Sequence, residues 1–161
     1  MEGTAIRDPI AVFMQEHEEA LVYLQRLKKA SQDLRKNGYT EKVFAQLLKA
    51  SAFVDEEVRD HNLKEEQVLF PVIERYVDGP TAVLRQDHQQ LAKVYKKLRH
   101  GISALDESHD DEVSLIELCE AVDEIVTLMV NHIHKENHIL FPLVRKFIST
   151  KELREVAKML H

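Results

Sequence analysis

The sequence predicts an all-α protein: an up-down-up-down four-helix bundle followed by a short fifth helix at the C-terminus. The 161 residues include only four glycines and four prolines, so turn-forming residues are scarce and a few long helices are favoured. Apolar residues recur three and four positions apart over long stretches, which is the spacing of amphipathic helices. The sequence also repeats itself after 71 residues, which indicates two similar helical hairpins.

The repeat runs through both halves of the chain without a gap. Because each hairpin would leave its apolar face uncovered, the two are expected to pack together. We therefore expect one domain over residues 1–161, made of hairpins at about 8–78 and 79–149. Identical residues stand 71 positions apart at Pro9 and Pro80, His17 and His88, His61 and His132, Glu65 and Glu136, and Phe70 and Phe141.

Prolines and turn residues mark the helix boundaries. Pro9 and Pro80 suit the first position of a helix, where the missing N–H costs no hydrogen bond. The Asn37-Gly38 pair ends the first helix, and the repeat predicts a matching break between the third helix and the fourth. The four long helices are predicted at about 9–37, 40–77, 80–107 and 111–147.

Capping residues and internal prolines add detail. Thr40 can cap the second helix, and Ser149 followed by Glu152 is typical of a capping box that opens the fifth helix. Pro71 and Pro142 fall inside the second and fourth helices, where proline removes a backbone hydrogen bond. We therefore expect a kink or a break there.

Polar residues interrupt the apolar inward face of every long helix at one height. Each glutamate of this set follows a histidine by four residues, so the two share a helix face. At about 1.5 Å per residue, each histidine lies equally far from the turn of its hairpin, so the six side chains meet in one layer. These inward-facing residues are His17, His61, Glu65, His88, His132 and Glu136.

Such a layer predicts bound metal. A glutamate buried alone would pay a large desolvation cost or stay protonated, and no lysine or arginine stands on these faces to compensate it. Imidazole and carboxylate ligands suit iron or manganese, with zinc as a possible substitute. A pseudo-twofold axis would place His17 and His88 on different ions, with the glutamates shared. A metal-free, hydrogen-bonded polar layer is the alternative.

The other candidate residues are expected to lie outside the centre. His134 and His138 form a rival pair four residues apart, but they lack counterparts in the first half and lie off the apolar stripe. Cys119 is expected in ordinary packing. The acidic residues that flank His17 are expected to belong mostly to a solvated face and to have no metal role; they are Glu16, Glu18 and Glu19. The remaining histidines, His100, His109 and His161, are expected to be solvated.

Composition excludes several classes. The net charge of −6 and the absence of a basic run argue against nucleic acid as a partner. The single cysteine allows no internal disulfide and fits a reducing compartment. No leader-like or membrane-spanning apolar stretch is present in the sequence, so we expect a cytoplasmic protein without membrane contact.

The doubled motif H-x-x-x-E-x-x-x-L-F-P resembles that of hemerythrin-like proteins, the HHE cation-binding domains. It occurs as HNLKEEQVLFP and HIHKENHILFP, with His17 and His88 as the further matching histidines. The resemblance implies a non-haem di-iron centre, with bridging carboxylates and an oxo or hydroxo bridge. Oxygen carriers of this family have a fifth histidine where Ala92 stands here. The chain therefore looks more like the four-His, two-Glu subset, which includes iron-centre repair proteins.

We expect a binding or sensing protein rather than an enzyme. Its ligand would be oxygen, nitric oxide or peroxide, in sensing, scavenging or stress protection. The alternatives are an iron-handling module that senses, stores or donates iron, and a metal-free interaction module. The open metal positions are expected to face a small apolar pocket without a histidine, lysine or tyrosine. The predicted pocket residues are Ala20, Leu21, Leu91 and Ala92.

Overall fold

The computed structural model describes residues 7–160, which form four long helices and a short C-terminal one, without a β-strand. This confirms the all-α bundle. The first long helix is α1 (Pro9–Asn37) and the third is α5 (Pro80–Glu107). The second covers residues 41–73 as α2 (Glu41–Phe53), π1 (Val54–Val58), α3 (Arg59–Lys64), π2 (Glu65–Leu69) and α4 (Phe70–Ile73). The fourth covers residues 112–147 as α6 (Glu112–Lys135), π3 (Glu136–Leu140) and α7 (Phe141–Phe147), and α8 (Thr150–Met159) follows.

The helices begin where the capping residues predict. The carboxylate of Asp8 accepts a hydrogen bond from the amide of Ile10, ahead of Pro9 in the first turn of α1. The hydroxyl of Thr40 accepts one from the amide of Val43 at the start of α2. Ser149 accepts one from the amide of Glu152 and opens α8. The second long helix ends at Ile73, a turn earlier than expected.

Of the kink or break expected at the internal prolines, the break does not occur, and the helix is disturbed locally instead. Helical structure continues past Pro71 and Pro142, and a π-helical segment directly precedes each short α-helix that contains the proline. In π2 the amide of Phe70 donates to the carbonyl of Glu65, five residues back, so the widened turn keeps the chain helical. Phe141 and Glu136 repeat this bond in π3.

Buried apolar residues form two clusters along the bundle. The larger fills the end near the turns within the hairpins and includes Leu34, Leu47, Leu98 and Leu118. The smaller lies at the opposite end and includes residues of α4 and α7 together with Val156 of α8. On every long helix the inward histidine lies between residues of the two clusters, so the polar layer separates them.

The hairpins form a closed ring. Helix α1 contacts α2 and α6, and α5 contacts the same two helices. The hydroxyl of Tyr76, just after α4, donates to the carboxylate of Glu152 at 2.7 Å and ties α8 to the bundle. Across residues 7–160, none of the helices combines the length and apolar character needed to cross a membrane.

Candidate metal centre

All six predicted polar residues meet in one buried layer. Their exposed fractions are 8% or less, and both glutamates are completely buried. The donor atoms form two groups in which every atom lies within 4.8 Å of the others. One group is His17, His61 and Glu136, and the other is Glu65, His88, His132 and Glu136.

The four histidines form two close pairs. The Nε2 atoms of His17 and His61 are 3.1 Å apart, as are those of His88 and His132. Each pair joins the two helices of one hairpin. Histidines that the repeat equates, such as His17 and His88, therefore lie in different pairs.

Each glutamate lies between the pairs. Oε1 of Glu65 is 3.3 Å from Nε2 of His61 and 3.5 Å from Nε2 of His88. Oε1 of Glu136 is 3.3 Å from Nε2 of His132 and 2.9 Å from Nε2 of His17. Each carboxylate therefore lies within reach of one histidine of both pairs.

The outer nitrogen of every histidine ring has a hydrogen-bond acceptor of its own. Nδ1 of His61 donates to Glu16 at 3.3 Å, and Nδ1 of His132 donates to Asp87 at 3.0 Å. The two remaining Nδ1 donors also have partners, namely Glu66 at 2.9 Å from His88 and Asn137 at 2.8 Å from His17.

The sequence does not distinguish these acceptors from solvated polar residues, and their one signal is the repeat. Glu16 and Asp87 stand 71 residues apart, each directly before a histidine of the layer, and Glu66 and Asn137 stand 71 apart, each directly after a glutamate. Glu16 does not lie on a solvated face as expected: it is half-buried and accepts the hydrogen bond from Nδ1 of His61. Its neighbours Glu18 and Glu19 are exposed as expected.

The hydrogen-bonding pattern fits metal ions. A carboxylate or amide oxygen only accepts, so each Nδ1 carries the proton, and a ring that binds metal as the neutral imidazole would direct the lone pair of Nε2 into the layer. At 3.1 Å, two such lone pairs face each other and need a cation between them. Within the described residues, both carboxylate oxygens of Glu65 and Oε2 of Glu136 are buried without a hydrogen-bond partner. Buried oxygens of this kind are costly unless a cation binds them.

Protons compensate these charges in the metal-free chain. Burial, reinforced by the nearby Glu136 carboxylate, raises the pKa of Glu65 to about 7. Burial also opposes ionisation of Glu136, but the neighbouring Glu65 carboxyl and the rings of His132, His17 and His61 outweigh it and hold the pKa of Glu136 well below its usual value. One carboxyl of the pair therefore keeps a proton more readily than the other.

Two of the histidines share in this compensation. Burial disfavours the charged ring of His61, yet the carboxylates of Glu65, Glu136 and Glu16 together raise its pKa well above the usual value. The pKa of His132 is raised in the same way, against burial, by Glu136 and Asp87. The site therefore attracts positive charge even without metal.

Aromatic rings cover the layer on the side of the smaller cluster. The ring of Phe70 stacks on His88 with centroids 5.8 Å apart, and that of Phe141 stacks on His17 at 5.4 Å. These phenylalanines belong to the repeated L-F-P run, so each hairpin covers a histidine of the other. The packing fixes the ring planes and keeps water from that side.

The predicted pocket residues divide between two openings. Ala20 lines a narrow cavity of about 20 Å³ beside His17, His61 and His132. Leu91 and Ala92 line a wider groove of about 380 Å³ that reaches His88 between the second and third long helices. Leu21 lines neither opening and packs, half-buried, against the larger cluster.

The groove is less apolar than expected. Tyr95 and Lys96 line it beside Ala92, so the expectation of a wall without lysine or tyrosine was wrong. Tyr95 lies one turn beyond Leu91 on the same face of α5, which directs it into the groove. Burial raises the pKa of the Tyr95 hydroxyl, so this side chain stays a neutral hydrogen-bond donor.

Comparison with known families decides the relationship. The model of the hemerythrin HHE cation-binding domain matches residues 8–160. This chain belongs to the hemerythrin family. The assignment confirms the resemblance inferred from the doubled motif, and it agrees with a buried layer of residues that could hold a metal ion.

Curated relatives of this hemerythrin domain include iron-sulfur cluster repair proteins named YtfE. The protein from Escherichia coli O157:H7 is 26% identical over 100 residues, which make up 60% of this chain and 46% of the relative. The protein from Cronobacter sakazakii is 28% identical over 100 residues, 60% of this chain and 45% of the relative. The matches thus span less than half of each relative.

The other histidines of the hemerythrin domain lie away from the layer. His134 and His138 are exposed and their rings face each other, with centroids 4.3 Å apart. His100 and His109 are exposed, and His161 lies outside the described residues. Cys119 is buried in the larger cluster, as expected for ordinary packing.

Proposed function

We propose that this hemerythrin domain holds two iron ions, one at each histidine pair, with Glu65 and Glu136 shared between them. The observation that carries the proposal is the facing of Nε2 atoms at 3.1 Å beside carboxylate oxygens that have no other partner. Imidazole and carboxylate donors suit iron, with manganese or zinc as substitutes. The names of the relatives point to iron. The ligands are His17, His61, Glu65, His88, His132 and Glu136.

A pair of iron ions supplies electron transfer and open coordination positions for small ligands. The chain positions the histidines through their Nδ1 hydrogen bonds, and the stacked phenylalanines exclude water on one side. The groove beside Leu91 and Ala92 gives access to His88. We propose that oxygen, nitric oxide or peroxide enters there, in a role in sensing, scavenging or stress protection.

A second candidate is iron handling, including the repair of iron centres. The relatives are named iron-sulfur cluster repair proteins, and this name favours it. In this role the domain would release iron to an acceptor.

Metal analysis of the purified chain tests the shared part of both proposals. We expect two irons per chain and a near-ultraviolet and visible spectrum that changes on reduction. Anomalous scattering should locate one ion at each histidine pair. One ion per chain, or an ion bound by both His17 and His88, would contradict the proposal, and so would a chain that stays metal-free after iron loading.

Reactivity separates the two functions. A ligand-binding domain should change its spectrum with oxygen or nitric oxide and keep its iron. An iron donor should instead lose iron to an apoprotein acceptor at a rate that increases with the acceptor concentration.

The substitution Ala92→His tests access through the groove. Ala92 lies one turn after His88 on the groove wall, so an imidazole there would occupy an open position. We expect this variant to bind azide at one iron only and to oxidise more slowly in air. Lys93→His, at the exposed neighbouring position, serves as the control. Unchanged azide binding and oxidation in fully loaded Ala92→His would rule out this route.

A further inference from the structure

The outer hydrogen bonds break the symmetry of the repeat at one position. Three of the four histidines donate from Nδ1 to a carboxylate, whereas His17 donates to the amide oxygen of Asn137 at 2.8 Å. The equivalent partner of His88 is Glu66, at 2.9 Å. The two bonds are alike in length and differ in charge.

This difference acts on the metal-facing nitrogen. A hydrogen bond to a carboxylate is about twice as strong as one between neutral groups, and it makes the imidazole a more basic ligand. The neutral amide of Asn137 orients His17 without adding electron density to its ring. Nε2 of His88 is therefore the better donor, although the two histidines occupy equivalent places.

The arrangement of donors favours the same pair. Around His88 and His132, four donor atoms including those of both glutamates lie within 4.8 Å of one another. Around His17 and His61, only three do, and Glu65 is not among them. The His88 side needs less rearrangement to bind an ion.

One contact opposes tighter metal binding at the His88 and His132 pair. Lys135 donates to both oxygens of Asp87, at 3.0 and 3.3 Å, and draws charge from the partner of His132. Its counterpart Lys64 pairs with Asp60 instead. The Lys135 side chain is 39% exposed, so solvent screens this effect. The amide of Asn137, in place of a carboxylate, therefore affects the donor strength of its histidine more than Lys135 does.

We propose that the two metal positions fill in a fixed order, the His88 and His132 position first and the His17 and His61 position second, and that Asn137 sets the difference. This inference rests on the proposed two-iron centre. Replacing outer partners of metal-bound histidines typically changes affinity by 10- to 100-fold. We expect the two dissociation constants to differ by about that factor. The chain would then retain one ion while exchanging the other.

Anaerobic titration of the metal-free chain with Fe²⁺ tests the order, using a chromophoric chelator as competitor. Glu66→Gln and Asn137→Asp exchange amide and carboxylate with little change in size. Asn137→Asp should tighten the weaker site about tenfold, and Glu66→Gln should weaken the tighter site by a similar factor. The double variant should reverse the order. His134→Ala, at an exposed position, should alter neither constant.

Crystals of the chain loaded with one equivalent of metal identify the site that fills first. An anomalous peak is expected between His88 and His132, moving to His17 and His61 in the double variant. Equal affinities, a first peak at His17, or constants unchanged in both single variants would overturn the inference. A chain that binds fewer than two ions would instead overturn the proposed two-iron function, so the two failures are distinguishable.

Discussion

At the scale of single residues, Glu65 has the most unusual environment. It is completely buried, neither of its oxygens has a hydrogen-bond partner, and its pKa is raised to about 7. A residue in such a place destabilises the fold when it is ionised without a cation. The metal-free chain should therefore respond to pH in a way that the metal-loaded chain does not.

We expect the metal-free chain to lose stability as the pH rises from about 5 to 7.5. The folded chain binds a proton at Glu65 more tightly than the unfolded chain does. The stability that this proton contributes is therefore complete below about pH 4 and is lost as the pH rises past 7. The raised pKa values of His61 and His132 act in the same direction. Glu136, with its lowered pKa, loses its contribution only in acid. Urea unfolding with a chelator present, at several pH values, measures the trend.

Glu65→Gln should flatten that dependence, because glutamine does not ionise. One pKa unit corresponds to about 1.4 kcal/mol, so the variant should recover on the order of 2 kcal/mol of unfolding free energy at pH 7.5 relative to pH 5. Glu18→Gln, on the exposed face of the same helical turn as His17, should keep the original slope. An equal slope in the Glu65 variant would contradict the assignment of the pH effect to this carboxyl.

The choice between the histidine pairs of the fourth helix is also testable. His132→Ala should strongly reduce bound iron, because it removes a donor atom from the layer. His134→Ala and His138→Ala should leave the iron content nearly unchanged, since both side chains are exposed. Metal analysis of the three variants measures this. Equal iron loss in His134→Ala would favour the rival pair.

The six inward polar residues could be predicted because burial, spacing and the repeat all pointed to them. The outer acceptors could not be predicted from the same criteria, since Glu16 and Asp87 stand among other charged residues at the edge of a helix face. Only the hydrogen bonds to His61 and His132 distinguish them from solvated acids. The repeat places Glu16 opposite Asp87 and Glu66 opposite Asn137, but spacing alone does not show that these side chains face a histidine.

At the scale of elements, the sequence did not predict the π-helical turns. Proline at 71 and 142 indicated a disturbance, but a break and a widened turn both remove the same conflict with the preceding carbonyl. The structure adopts the widened turn, which lets Phe70 and Phe141 stack on histidines of the opposite hairpin. Packing across the bundle decides whether the helix breaks or forms a widened turn. The local sequence does not contain information about this packing.

The contact between α5 and α6 depends on Gly101. The sequence predicts only that this glycine is tolerated inside a helix. In the structure, a Cβ added there would lie 3.1 Å from Cδ1, 3.2 Å from Cβ and 3.3 Å from the backbone Cα of Leu118. The missing side chain therefore sets the close approach of the two helices.

Gly101→Ala should lower the unfolding free energy by about 1 kcal/mol. Alanine gains about 1 kcal/mol of helix propensity, but overpacking against a neighbouring backbone typically costs 1–3 kcal/mol. Urea unfolding measures the balance. Ser103→Ala, on the exposed face of the same helix, should be neutral or slightly stabilising. A more stable Gly101→Ala would show that α6 moves away at little cost.

At the scale of the whole molecule, metal should stabilise the fold as a ligand of the folded state. Free metal at a thousandfold excess over its dissociation constant adds about 4 kcal/mol, which corresponds to roughly 10 °C in melting temperature for a chain of this size. Thermal unfolding with and without chelator measures this. His134→Ala should show the same shift, whereas Glu65→Gln should show a smaller one. No shift after verified iron removal would contradict metal stabilisation.

The polar layer that separates the two apolar clusters also has a kinetic consequence. Without metal, the two ends are held together across the layer by ring stacking and hydrogen bonds and not by metal–ligand bonds, so the end with the smaller cluster can open while the rest stays folded. Amide hydrogens of α7 and α8 should then exchange with deuterium much faster than those in the middle of α5. With metal bound, the four long helices are joined at the layer and the two ends should open together. The ions would thus convert two cooperative units into one.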